Sequence, residues 1–175
     1  MATTARPKAE LMQVASMIQS SRHNISTRRH VQRGRKSASR ELFVDTSAWY
    51  PLLLRAHPDH TRVAAALRGT IRSGERAVTT NLVLAETYGL LLSRGHRLAA
   101  ITFLEAVRMV PNVVVTSTEE LEQRALSDWL IRFEDQDFSF ADAVSFTVMQ
   151  ERGIRRAATF DAHFATAGFE MIPAG

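Results

Sequence analysis

The chain has 175 residues, 45% of them hydrophobic and none of them cysteine. That suffices for one domain with a real core and excludes wholesale disorder, disulfides and thiolate metal sites, so any metal must be held by oxygen or imidazole. No apolar stretch approaches the ~20 residues of a membrane span, and none follows Met1 as a secretion signal would, so a cytoplasmic protein without a membrane segment is expected.

The net charge of +4 hides a split. Residues 1–40 hold nine Lys+Arg and one acid, a net of +8, whereas residues 41–175 hold thirteen Arg, no lysine and seventeen acids, a net of −4. The high pI, about 10.3, therefore belongs to the first forty residues and not to the part able to fold. A mildly acidic unit that handles phosphates needs cations to do so.

In chain order, residues 1–40 read as a basic, disordered N-terminal extension, with one short amphipathic helix suggested by the spacing of Leu11, Val14, Ala15, Met17 and Ile18. A solvated tail, residues ahead of a later start at Val31 or Leu42, a tail adding RNA affinity through phosphate contacts, and an organelle transit peptide all stay open. From Glu41 the pattern changes. Leu42-Phe43-Val44 is a buried strand, and Ser47 caps a short helix through Leu54. A helix opens at His57-Pro58-Asp59 and runs to Ser73-Gly74, followed by a strand over Ala77–Thr80. Helices are expected over Asn81–Ser93 and His96–Val110, then a β-branched central strand over Asn112–Thr116. Ser117 or Thr118 starts a helix to about Phe133, a polar loop follows, and Phe140–Arg152 is a helix stopped by Gly153. Arg156–Phe160 and Phe169–Ile172 complete four to five strands. Strands alternating with helices predict an α/β fold, a three-layer α/β/α arrangement with a central parallel sheet.

Four acids within this unit suit both structure and chemistry. Glu86 shares a helical face with Leu82, Val83 and Leu90, a face expected to be buried, with no Lys or Arg within a turn. Asp45 and Asp161 follow the first and fourth strands, where ligands of open α/β sheets bind but where aspartates also cap helices. Asp142 completes a Ser139-Phe140-Ala141-Asp142 capping box, which explains it without chemistry, yet its place after an acidic loop suits a cation. If strands one and four are neighbours, the acids converge on one sheet edge. Clustered carboxylates repel unless protons or divalent ions lie between them, and oxygen ligands select Mg2+ or Mn2+. His163, Asp135 and Asp137 read as surface residues, and Trp49, Phe103 and Trp129 as helix–sheet packing.

The segments Phe43-Val44-Asp45-Thr46-Ser47-Ala48-Trp49-Tyr50, Thr80-Asn81-Leu82-Val83-Leu84-Ala85-Glu86-Thr87, Phe138-Ser139-Phe140-Ala141-Asp142-Ala143 and Ala158-Thr159-Phe160-Asp161-Ala162-His163-Phe164 together resemble the PIN domain, and within it the VapC-type toxin ribonucleases. The resemblance spans residues 42 to 173 in order, type and spacing. It implies a metal-dependent endoribonuclease, the toxin of a type II toxin–antitoxin pair, with Asp45, Glu86, Asp142 and Asp161 around Mg2+ or Mn2+. Asp45 and Asp142 would be the most direct ligands, with the hydroxyls of Thr46 and Thr159 behind them. It also implies an RNA substrate, a small antitoxin whose tail fills the groove, and a homodimer. Rival readings are a degenerate PIN-like module that only binds RNA or protein, and another Asp-dependent phosphohydrolase. The latter is weakened because Asp45-Thr46-Ser47 lacks a second aspartate and no lysine follows.

Overall fold

A computed structural model describes residues 39–109 and 112–173. The expectations for residues 1–38, including the short helix near Leu11, lie outside the described residues. From residue 41 the elements follow the predicted alternation. They are β1 (Glu41–Val44), α1 (Thr46–Leu53), α2 (His60–Arg72), β2 (Arg76–Thr80), α3 (Asn81–Ser93), α4 (Arg97–Ala106), β3 (Val113–Val115), α5 (Glu119–Ala125), α6 (Phe140–Arg152), β4 (Arg156–Ala158), α7 (Ala162–Thr166) and β5 (Glu170–Ile172).

The five strands form one sheet in the order β3-β2-β1-β4-β5, with every pairing parallel. Parallel neighbours need crossovers, and crossovers are right-handed. The chain leaves β1 toward β2 and β3, then jumps back to β4 and β5 on the other side, so α1–α4 cover one face and α5–α7 the other. The sheet is the middle of three layers, as the alternation of elements predicts. Its order reverses between β1 and β4, and in such sheets the crevice beyond the carboxyl ends at the reversal point is the ligand site.

Burial follows from this layering. Leu42, Phe43 and Val44 are fully buried because helices cover both faces of β1. Helix α6 is buried on all sides from Asp142 to Met149. Its polar members cost little, since Ser145 and Thr147 donate to the carbonyls of Ala141 and Ala143 one turn back. Phe146 stands at the centre of an aromatic cluster, with ring centroids 5.0 Å from Phe164 and from Trp129 and 5.2 Å from Phe138. Trp49 packs on Phe103 on the other face, 5.4 Å away. Both tryptophans thus serve packing, as their sequence context predicts.

Four expectations about elements are corrected. The cap of α1 is Asp45 and not Ser47: the Asp45 carboxylate accepts from the Ser47 amide, so Asp45 is the last extended residue. Helix α4 ends at Ala106, short of Val110. Val113–Val115 is an edge strand rather than a central one, half-buried because β2 is its single neighbour. β-branched residues fit any pleated surface, so they do not distinguish edge from centre. The helix expected to continue to Phe133 changes after Ala125 into a π-helical turn over Leu126–Ile131. That wider turn carries Trp129, whose ring joins the aromatic cluster.

Candidate active site

The site is built where β1 and β4 end side by side. Val44 pairs with Ala158, and the Asp45 amide extends the ladder by donating to the Ala158 carbonyl at 3.1 Å. Asp45 and Thr159 therefore leave the sheet together. The Thr159 hydroxyl donates to Asp45 Oδ2 at 3.1 Å, the Ser47 hydroxyl donates to the same oxygen at 2.7 Å, and the Ser47 amide does so at 3.0 Å. Each hydroxyl is oriented in turn by a loop amide, Phe160 N–H on Ser47 Oγ (2.8 Å) and Asp161 N–H on Thr159 Oγ1 (2.9 Å). The two hydroxyls also lie 3.0 Å apart and share a hydrogen bond, so Ser47, Thr159 and Asp45 Oδ2 form one closed network. Ser47, read from sequence only as a cap, is thus the residue that ties Asp45 to the β4–α7 loop.

Asp142 reaches the same edge from the first turn of α6. Ser139 and Asp142 form the predicted capping box: the Ser139 amide (2.9 Å) and hydroxyl (2.7 Å) both meet Asp142 Oδ2. The cap and a place beside Asp45 are not alternatives, because one oxygen serves the cap. Asp161 caps α7 through the His163 amide, 2.9 Å from Oδ1.

The aspartates act on one another in series, Asp142 on Asp45 and Asp161 on Asp142. Burial pushes the Asp45 carboxyl above its ordinary value, against the opposing effect of the donors from Ser47 and Thr46, and the charge of Asp142 adds to the rise. Burial likewise raises Asp142, where Ser139 opposes it and the charge of Asp161 adds to it. Among the described residues no arginine forms an ion pair with any of the three. His163 is a basic group beside them, with Nδ1 3.2 Å from Asp161 Oδ1 and 3.8 Å from Asp142 Oδ2. His163 is half-buried rather than a plain surface residue, and its ring stands edge-on to Phe138. Its spacing of two from Asp161, across the cap of α7, was the available signal.

Glu86 departs from the sequence reading. It is exposed, because the buried stripe of α3 is Val83, Leu84, Thr87 and Leu91. Apolar residues surround this helix almost completely, so the spacing to Leu82, Val83 and Leu90 did not identify the covered face. Glu86 is joined to the site through Thr46, whose hydroxyl donates to Glu86 Oε2 at 2.6 Å and receives a bond from Thr87. Thr46 is thus a tether for Glu86, and Thr159 is a donor to Asp45. Asp135 and Asp137 are exposed, as expected of a solvated turn.

The fold and the acids at its edge define a class of protein. Residues 42–170 match the family model of the PIN domain, and the chain belongs to that family. Within it the chain is similar to the 23S rRNA-specific endonuclease VapC20 of Mycobacterium tuberculosis, in both strain CDC 1551 / Oshkosh and strain H37Rv. Each relative is 39% identical over 133 residues, which span 75% of this chain and 97% of the relative. A crystal structure of M. tuberculosis VapC20, described as a sarcin–ricin loop cleaving toxin, superimposes with a TM-score of 0.64 at 33% identity. That alignment covers 73% of this chain and 95% of the other.

Proposed function

We propose that Asp45 and Asp142, with Asp161 and Glu86 beside them, hold Mg2+ or Mn2+ at this edge and hydrolyse RNA phosphodiester bonds. The chain is an endoribonuclease of the VapC toxin class through its family. One observation carries it. Two buried aspartates, each destabilised in its charged form, adjoin a third acid without an arginine to neutralise them among the described residues. Such a group is stable at neutral pH only with protons or cations between its members. The donors already found gather on Oδ2 of Asp45 and Oδ2 of Asp142, so neither carboxylate is saturated by hydrogen bonds. Oxygen donors of this kind suit a hard divalent cation.

When bound, the ion supplies an activated water and neutralises the charge that gathers on the phosphate. The residues of the chain do the rest. Ser47 and Thr159 fix Asp45, Ser139 fixes Asp142, and Thr46 keeps Glu86 at the margin, where its exposed carboxylate can follow the ion or the water. The substrate class is RNA, and the relatives support 23S rRNA at its sarcin–ricin loop. The nuclease unit of this reading is residues 41–175, with 1–40 as a basic extension. It acts in the cytoplasm as a homodimer held by a small antitoxin. No helix among the described residues is long and apolar enough to cross a membrane. Leu98 and Ile101 of α4 and Leu92 of α3 are exposed and supply apolar surface for a partner.

The test is to incubate the full chain with intact ribosomes and with an oligonucleotide copying the loop, in Mg2+, in Mn2+ and in EDTA. Discrete cleavage that requires the metal is expected. No cleavage under any metal condition, or equal cleavage in EDTA, overturns the reading.

A further inference from the structure

The acids are not the whole donor set at this edge. Asp142, Asp161 and His163 each offer one ligand atom, and the three atoms lie within 4.8 Å of one another. The Nδ1 atom of His163 is buried without a hydrogen-bond partner, although it lies 3.2 Å from Asp161 Oδ1 and 3.8 Å from Asp142 Oδ2. Buried polar atoms are nearly always satisfied, so an orphaned imidazole nitrogen between two carboxylates calls for an occupant. An ion with bonds of about 2.0–2.2 Å holds its ligand atoms roughly 3 to 4 Å apart, close to the spacing found here.

The placement is local and sturdy. Asp161 caps α7 by accepting from the His163 amide, and the imidazole lies on the same side of the turn, its Nδ1 3.2 Å from the same carboxylate oxygen. Phe138 meets the ring edge-on, 5.4 Å between centroids, and restrains its tilt.

We propose that His163 supplies Nδ1 to the same cation that Asp142 and Asp161 hold, making a mixed nitrogen–oxygen site that favours a first-row ion such as Mn2+ over Mg2+. The proposal rests on the reading of these aspartates as metal ligands and adds a nitrogen to it. Mg2+ demands oxygen and retains its waters, whereas imidazole is a good donor to first-row divalent ions. An ion-paired imidazolium, the ordinary alternative for a histidine beside two acids, would leave no nitrogen on the ion.

The experiment is electron spin-echo envelope modulation of Mn2+ bound to the full chain, with calorimetric titration of Mn2+ and Mg2+ into the wild type and H163Q. We expect 14N modulation from the wild type and its loss in H163Q. H163Q should bind Mn2+ about tenfold more weakly, with a smaller change for Mg2+. Bound Mn2+ without 14N modulation in the wild type overturns the histidine and leaves the aspartate reading intact. Modulation persisting in H163Q also overturns it, because the nitrogen then belongs to another residue. Failure of the wild type to bind either ion overturns both readings. The wild-type spectrum decides the point even if H163Q folds poorly.

Discussion

Glu41 opens β1 and Asp45 directly follows its last residue; both are buried, and their carboxylates are treated in opposite ways. Glu41, at the amino end of β1, receives Arg152 through Nε at 2.9 Å and Nη2 at 2.7 Å, and Arg76 through Nη2 at 2.5 Å. The hydrogen bonds of Arg152 hold its carboxyl below the ordinary range, with Arg76 adding to the effect. Asp45, at the other end, has hydroxyls and amides for partners and another carboxylate nearby, and burial pushes it up. Helix α6 makes both arrangements. Its first turn carries Asp142 to Asp45, and its last turn carries Arg152 to Glu41. Ten residues of helix span about 15 Å and four residues of strand about 13 Å, so the two elements match in length. Among the described residues, arginines neutralise one end of the strand–helix pair and no arginine pairs with the acids at the other.

If that contrast is right, the largest effect belongs to the uncompensated end. D45N or D142N should reduce RNA cleavage by about 10³-fold or more, since an ion held poorly loses several kcal/mol of transition-state stabilisation. Both variants should fold, with a melting temperature in EDTA equal to or above that of the wild type, because a buried charge has been removed. Full activity in both variants, assayed with saturating metal, would refute the contrast. The scaffold around Asp45 comes next. S47A removes a 2.7 Å donor and the acceptor of the Phe160 amide, and should weaken metal binding roughly 10- to 100-fold. An unchanged Mn2+ isotherm would show that Ser47 only caps.

The compensated end should fail differently. E41Q keeps the shape but leaves Arg76 and Arg152 without their anion. These guanidiniums are 54% and 32% exposed, so water recovers part of the loss, and a cost of about 2 kcal/mol is expected rather than that of a fully buried pair. The urea midpoint should fall while cleavage below the transition stays unchanged. Loss of activity in the folded variant would show that the two ends are not independent.

Much of this was written locally. Ser139 before α6 and Gly153 after it are caps, and the bounds Phe140–Arg152 were legible for that reason. In Gly153 a positive φ of 65° shows why glycine stands there. Asp45, Asp142 and Asp161 were legible as strand-end and helix-start acids. What depended on packing was not. The exposure of Glu86 follows from which side of a nearly all-apolar helix meets the sheet. The Glu41–Arg152 pair joins residues 111 apart, and no local pattern announces it. His163 looked like a surface residue because only the fold brings Phe138 and Asp142 up to it.

The smallest expected effect is also the one that compares the two ends within a single experiment. Without metal, a carboxyl raised in the folded state binds its proton more tightly than in the unfolded chain. Asp45 and Asp142 therefore stabilise the protein below their unfolded values, near 3.8, and that contribution is lost as pH rises through their folded values. Glu41 does the reverse: its contribution is present above its unfolded value, near 4.5, and is lost as pH falls through its folded one. In EDTA, E41Q should thus lose stability as pH climbs from about 4 toward neutrality, by less than about 1.4 kcal/mol per pH unit for each titrating group. Combining D45N with D142N should flatten that slope. Saturating Mn2+ should reverse it, since the ligands must shed their protons to bind. Urea midpoints across this range, measured with and without metal, provide the check. An identical slope in the wild type and in the D45N/D142N variant would mean that the aspartates at the open end of β1 are not held above their ordinary range.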